Sequence, residues 1–77
     1  MPRKGVAAVL RAPVQSSSIV SVGYDEEQRI LEIVYTGGRV YHYLEVPPER
    51  VLALLRAESK GRFVNSEIKP HFRYRAL

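Results

Sequence analysis

Alternating apolar and polar residues in the first half of the chain predict three β-strands. Over residues 18–24 the alternation has a period of two and places Val20, Val22 and Tyr24 on one face. Polar or glycine-containing turns separate each stretch from the next, which is typical of an antiparallel meander. The three strands are expected over residues 18–24, 29–35 and 39–44.

The turn between the second and third strands decides which side chains share a face of the sheet. A two-residue loop at Gly37-Gly38 would turn the tyrosines of the third strand away from the apolar residues of the second. A three-residue loop that also includes Thr36, with Gly38 in the left-handed conformation, brings them together. We favour the longer loop because it buries fewer polar groups. It predicts the opposed pairs Leu31–Tyr43, Ile33–Tyr41 and Glu32–His42, the last pair on the solvent side.

Two helices are expected after the strands. Pro47 or Pro48 fits a first helical turn, where a missing N–H costs nothing. Ser59 is placed to cap a second helix that runs to about Ile68, before Pro70. The apolar stripe expected to lie on the sheet in the first helix consists of Val51, Leu52, Leu54 and Leu55.

The ends of the chain are less regular. Residues 1–15 contain several breakers and no sustained period, so a loose N-terminal extension is expected before a single domain over residues 16–77. Residues 71–75 alternate aromatic and basic side chains and predict a short extra strand at a sheet edge, or a solvated tail. The fold class is therefore α+β: a three-stranded antiparallel meander followed by two helices packed on one face.

Composition excludes several classes of protein. The chain has 77 residues and no cysteine, so it has no disulfides and no thiolate metal site, and a reducing, cytoplasmic setting is the simplest expectation. Its two histidines, His42 and His71, are isolated, and no serine, histidine and acid fall at spacings that indicate catalysis. We expect no enzyme activity, no metal, no cofactor and no membrane contact.

The net charge of +4 is unevenly distributed along the chain. Residues 1–10 carry +2, residues 11–58 carry −2, and residues 59–77 carry +4. A slightly acidic body with basic ends is common in nucleic-acid-binding proteins, because attraction to phosphate supplies the sequence-independent part of their affinity. The pattern favours RNA as a partner.

An ordered set of short motifs runs from about Val14 to Phe72. The motifs are Ser17-Ser18-Ile19, Gly23-Tyr24-Asp25, Leu31-Glu32-Ile33, Gly38, Tyr41-His42-Tyr43, Val46-Pro47, Ala57-Glu58-Ser59-Lys60-Gly61, Phe63-Val64-Asn65 and Ile68-Lys69. Together they resemble one family, the KTSC domain, which takes its name from the C-terminus of some lysyl-tRNA synthetases and also occurs as free-standing bacterial proteins. The resemblance implies the fold described above, and its domain context implies RNA binding.

The candidate RNA-binding residues cluster near the start of the second helix and in the C-terminal tail. A capped helix start with free N–H groups, a glycine and two cations suits a phosphate, although residues 59–61 also suit a plain turn between helices. Asn65 can contact a base or tie down that turn. The expected RNA-binding residues are Lys60, Gly61, Arg62, Asn65, Lys69, Arg73 and Arg75.

Tyrosines are the candidates for stacking on unpaired bases, namely Tyr41, Tyr43 and Tyr74. The favoured register instead packs Tyr41 and Tyr43 under the helices. The leading hypothesis is thus a monomeric, non-enzymatic module that binds tRNA or another structured or single-stranded RNA. The alternative is a protein-interaction adaptor that uses an open strand edge or the outer sheet face, which carries Ile30, Val34 and Val40.

Overall fold

The computed structural model describes residues 9–13 and 16–77. Five antiparallel strands form one sheet in the order β1-β2-β3-β4-β5. Two helices follow β4, and the second continues directly into a π-helical turn. The strands are β1 (Val9–Pro13), β2 (Ile19–Asp25), β3 (Ile30–Tyr35), β4 (Val40–Tyr43) and β5 (Tyr74–Ala76). The helical elements are α1 (Pro48–Arg56), α2 (Lys60–Phe63) and the π-helical turn (Val64–Ile68).

The predicted meander and its register are confirmed. Strands β3 and β4 pair with Leu31 opposite Tyr43, Ile33 opposite Tyr41 and Glu32 opposite His42. The Tyr35 N–H donates to the Arg39 carbonyl at 2.8 Å and closes a three-residue loop. Gly38 has the positive φ that was expected, +93°, but so does Gly37, at +100°. Two of the three loop positions, Gly37 and Gly38, therefore favour glycine, where one was expected.

A β-bulge changes which side chains of β2 face the core. The pairing of β2 with β3 shifts between Ile19 and Ser21, so Val20 is the extra residue. Because an extra residue reverses the alternation, Ile19 joins Val22 and Tyr24 in the core while Val20 is exposed. Val20 was predicted to share a face with Val22 and Tyr24, and that prediction is wrong.

The helices pack on the inner face of the sheet through fewer residues than predicted. In α1 only Val51 and Leu54 are buried, whereas Leu52 and Leu55 are exposed. A helix of nine residues contacts the sheet along one i, i+3 line, so the expected wider stripe is not formed. Ser59 does cap α2, since its Oγ accepts the Arg62 N–H at 3.2 Å.

One core lies between the sheet and the helices. Tyr24 anchors it to the chain before α1, because its hydroxyl donates to the Val46 carbonyl at 2.6 Å. No helix in the described ranges is long and apolar enough to cross a membrane. The buried apolar residues are Ile19, Val22, Tyr24, Leu31, Ile33, Tyr43, Val46, Val51, Leu54, Val64 and Ile68.

Two strands extend the meander at its edges. Strand β5 is the extra C-terminal strand that the alternation over residues 71–75 predicted, and it pairs with β4. Strand β1 pairs with β2 and was not predicted, because its five residues fall within the expected loose extension. The rest of that extension, residues 1–8, 14 and 15, lies outside the described residues.

Candidate nucleic-acid interface

Three segments meet at the end of the sheet that carries the β3–β4 hairpin. The Thr36 N–H donates to the Ser18 carbonyl at 2.9 Å, and the Thr36 Oγ1 donates to the Ser17 carbonyl at 3.1 Å. These bonds hold the start of β2 against the hairpin. The start of α2 lies beside the same segment, since Gly61 closely approaches Ser18. We call this part of the molecule the hairpin end.

An open cleft of about 570 Å³ lies at the hairpin end. Arg39 and Lys69 supply its two cations, and both side chains are exposed. The Lys69 Nζ lies 5.6 Å from the centroid of the Tyr35 ring. Neither cation forms an ion pair with an acidic residue in the described part of the chain. The residues that line the cleft are Ser17, Ser18, Tyr35, Thr36, Arg39, Tyr41 and Lys69.

A stack of tyrosine rings borders the cleft. Tyr74 of β5 stacks on Tyr41 with centroids 5.1 Å apart and ring planes inclined by 16°. Tyr41 also meets the Tyr35 ring edge to face at 5.4 Å. Because Tyr74 is 56% exposed, it presents an accessible ring at the edge of the sheet. Tyr41 lines the cleft and supports this ring, so it links the cationic and aromatic parts of the surface.

Tyr43 is not available for stacking on a ligand. The side chain is fully buried, at 0% exposure, and its hydroxyl shares a hydrogen bond of 2.9 Å with the Tyr35 hydroxyl. Burial, followed by this hydrogen bond, raises the pKa of Tyr43 well above its ordinary value. Of the three proposed stacking residues, Tyr74 is therefore exposed, Tyr41 is partly buried, and Tyr43 is too deeply buried to stack on a ligand.

Lys60 and Gly61 serve the fold at the start of α2. The Lys60 Nζ donates to the Ala57 carbonyl at 2.7 Å, which satisfies a backbone group after the end of α1. A Cβ on Gly61 would lie 2.7 Å from the Ser18 Oγ, so the open side of this glycine faces the protein's own chain rather than a ligand. The regular α-helix there has only four residues, too short to present a substantial helix dipole. These contacts fit the interpretation of residues 59–61 as a turn between helices.

The other predicted RNA-binding residues are exposed but are not brought together. Arg62 and Asn65 lie on the exposed side of the second helical segment. Arg73 lines a different cleft, of about 480 Å³, beside Glu45. Arg75 is opposite His42 on the outer face of the sheet. Lys69 is the one predicted cation that lines the cleft at the hairpin end.

The outer-face pair of Glu32 and His42 was predicted correctly as a contact. Their side chains meet at 2.9 Å, between the His42 Nε2 and the Glu32 Oε1. However, Glu32 is only 9% exposed, so the pair is more buried than a solvent-side position implied. A hydrogen-bonded pair of this kind compensates for the burial of the carboxylate.

Arg39 was not predicted as a site residue. Its position directly after the two hairpin glycines is a usable signal, because the three-residue loop fixes where the side chain at the start of β4 lies. Ser17, Ser18 and Thr36 were also missed. Their place in the cleft depends on contacts between distant segments, which no local pattern reveals.

Comparisons with known proteins agree on one family. A sequence model of the KTSC domain matches residues 15–72. A protein of Tsukamurella paurometabola is 55% identical over 65 residues, which cover 84% of this chain and 97% of the relative. A protein of Stutzerimonas stutzeri is 54% identical over 65 residues, 83% of this chain and 92% of that protein.

The solved structures give the same answer. The crystal structure of a KTSC domain protein from Yersinia pestis superposes with a TM-score of 0.84 at 44% identity. The match covers 91% of this chain and 99% of that one. These similarities confirm the resemblance seen in the motifs. The chain belongs to the KTSC domain family.

Proposed function

We propose that the protein is a small, non-enzymatic RNA-binding module that acts through its hairpin end. The observation that carries this proposal is the joined surface of Arg39, Lys69, Tyr41 and Tyr74. It combines two exposed cations around an open cleft with an exposed ring held in place by a second ring. The cations can bind phosphates, and the exposed ring can stack on an unpaired base.

The shape of the surface favours unpaired nucleotides over a duplex. One exposed ring beside a small cleft can take a splayed base and its neighbouring phosphate, whereas a regular duplex hides its base faces in the stack. Ser17, Ser18 and Thr36 add hydroxyl groups or backbone oxygens at the cleft wall. Transfer RNA offers such unpaired segments, and the occurrence of the family at the C-terminus of some lysyl-tRNA synthetases makes it the RNA we propose.

The test is fluorescence anisotropy with a labelled single-stranded oligouridylate and with bulk tRNA over a series of salt concentrations. If both cleft cations contact phosphate, Arg39→Gln with Lys69→Gln should flatten the plot of log affinity against log salt by about 1.4, at about 0.7 per phosphate contact. The melting temperature should stay close to that of the wild type, because exposed charges contribute little to stability. Tyr74→Ala should weaken binding by about 1–3 kcal/mol with the slope unchanged.

A matched variant controls for overall charge. Arg29→Gln with Arg56→Gln removes two other exposed cations, neither of which lines the cleft. This control should leave the salt dependence close to that of the wild type. A protein without RNA affinity at low salt, or a slope that responds equally to both double variants, would rule out the hairpin end as the RNA surface.

A further inference from the structure

The outer edge of β5 leaves backbone groups without a neighbouring strand. This strand is last in the sheet order. The Leu44 N–H donates to the Arg73 carbonyl and the Leu77 N–H donates to the Val40 carbonyl, each at 2.8 Å. Because bonding alternates along an antiparallel pair, residues 73, 75 and 77 direct their backbone groups at β4. The N–H and C=O groups of Tyr74 and Ala76 therefore point away from the sheet.

The same edge carries positive charge on one face. Arg75 lies opposite His42 on the outer face of the sheet. The Arg73 carbonyl continues the pairing just before β5 by accepting the Leu44 N–H, so Arg73, two positions before Arg75, directs its side chain to the same face. Both are exposed, and neither forms an ion pair within the described residues. His42 lies beside Arg75 on β4. A second copy of this chain paired along β5 would bring arginines close to arginines, which opposes self-association through this edge.

We propose that the open edge of β5 accepts an extended acidic segment of a partner protein as a sixth strand. The partner's backbone would bond to Tyr74 and Ala76, which supplies affinity independent of its sequence. Carboxylates at every second position would lie beside Arg73 and Arg75, and apolar residues between them would cover the exposed Tyr74 ring. The β5 edge lies outside the cleft at the hairpin end. Tyr74 is the one residue that it has in common with the proposed RNA surface.

The probe is an acetylated and amidated peptide of alternating glutamate and valine, titrated into the ¹⁵N-labelled full chain. We expect the largest amide shifts at residues 73–77 and slower hydrogen exchange at the N–H groups of Tyr74 and Ala76. In the control peptide proline replaces every valine, which keeps the charge but removes the N–H groups that face β5. The control peptide should not bind.

Matched variants separate strand addition from simple attraction. Arg73→Gln with Arg75→Gln should weaken the valine peptide by about tenfold, whereas Arg29→Gln with Arg56→Gln should change it by no more than about twofold. Ala76→Pro removes one outward N–H without touching the bonds to β4, and it should abolish binding. If Ala76→Pro releases β5 from the sheet, the arginine variants still decide the matter.

Three outcomes would overturn the proposal. Equal binding of the proline peptide would show charge attraction alone. Shifts centred on Arg39 and Lys69 would place the peptide in the cleft instead. If oligouridylate shifts the amides of residues 73–77, and its binding loses salt dependence in the variant with Arg73→Gln and Arg75→Gln, the edge binds nucleic acid instead. A failure of the cleft variants alone would count only against the RNA proposal.

Discussion

Tyr43 brings a hydroxyl group into the core, and Tyr35 supplies its hydrogen-bond partner at 2.9 Å. Burial raises the pKa of both tyrosines, although the hydrogen bond with Tyr43 partly offsets the effect on Tyr35. A tyrosine whose folded pKa exceeds its unfolded value of 10.0 stabilises the fold fully below that pH. The contribution is then lost as the pH rises toward the folded pKa. The folded protein should therefore become less stable in alkali.

We expect Tyr43→Phe to reduce this alkaline sensitivity. At neutral pH the variant should lose about 1 kcal/mol, the usual net value of one hydrogen bond. Above about pH 10 its free energy of unfolding should fall less steeply than that of the wild type, by up to about 1.4 kcal/mol per pH unit. Urea unfolding between about pH 9 and 11 measures the difference. A Tyr43→Phe variant whose free energy of unfolding falls as steeply with pH as that of the wild type would contradict this expectation.

At the scale of elements, the β3–β4 hairpin determines where Arg39 and Tyr41 lie. The register could be predicted from the sequence because only one loop length placed the apolar residues of both strands on one face while Glu32 and His42 paired on the other. The bulge at Val20 could not be predicted in this way. Both faces of β2 carry apolar side chains, so the alternation alone could not assign one of them to the core along the whole strand. The position of the bulge depends on the contacts of the start of β2 with α2 and the hairpin.

The same limit applies to the site. Lys69 and the stacked ring of Tyr74 were among the predicted residues, since a basic and aromatic C-terminal segment is visible in the sequence. Lys60 and Gly61 had the composition of a ligand site, but their contacts with Ala57 and Ser18 commit them to the fold. Local spacing cannot distinguish a glycine that admits a ligand from one that admits another part of the same chain.

Substitutions in the hairpin test the loop directly. Both Gly37 and Gly38 have open space around an added Cβ, so any cost arises from the positive φ alone. We expect Gly37→Ala and Gly38→Ala each to destabilise the fold by about 1 kcal/mol. Thr36→Ser, in the same loop, keeps the hydroxyl that bonds to Ser17 and should leave the stability unchanged. Urea midpoints measure the series, and a neutral Gly37→Ala would mean that the loop adopts another conformation in solution.

At the scale of the whole molecule, charge is divided between the two ends of the sheet. The Val46 N–H donates to the Arg29 carbonyl at 2.9 Å and so joins the β2–β3 turn to the segment before α1. Burial raises the pKa of Tyr24 at that end; Arg29 opposes the effect, and the carboxylates of Glu26 and Glu49 add to it. The hairpin end carries Arg39 and Lys69. We therefore expect a polyanion to be guided toward the hairpin end.

The whole fold should also depend on β5, although the family match ends at residue 72. Truncation after residue 72 removes the Tyr41–Tyr74 stack and the bonds that cover the edge of β4. We expect the free energy of unfolding to fall by about 1–3 kcal/mol, from one aromatic pair and several backbone bonds. The bare β4 edge should promote self-association, measured by size-exclusion chromatography against concentration. A monomeric truncated chain of unchanged stability would show that β5 is dispensable.

The π-helical turn allows the length of this segment to vary by one residue. The Lys69 N–H bonds to the Val64 carbonyl, five residues earlier, where an α-helix would use a partner four residues earlier. Loss of a single residue between them would turn the same bond into an α-helical one, so Lys69 would keep its partner and its place at the cleft. In an alignment of relatives, a one-residue gap at this point is therefore compatible with an intact hairpin-end cleft.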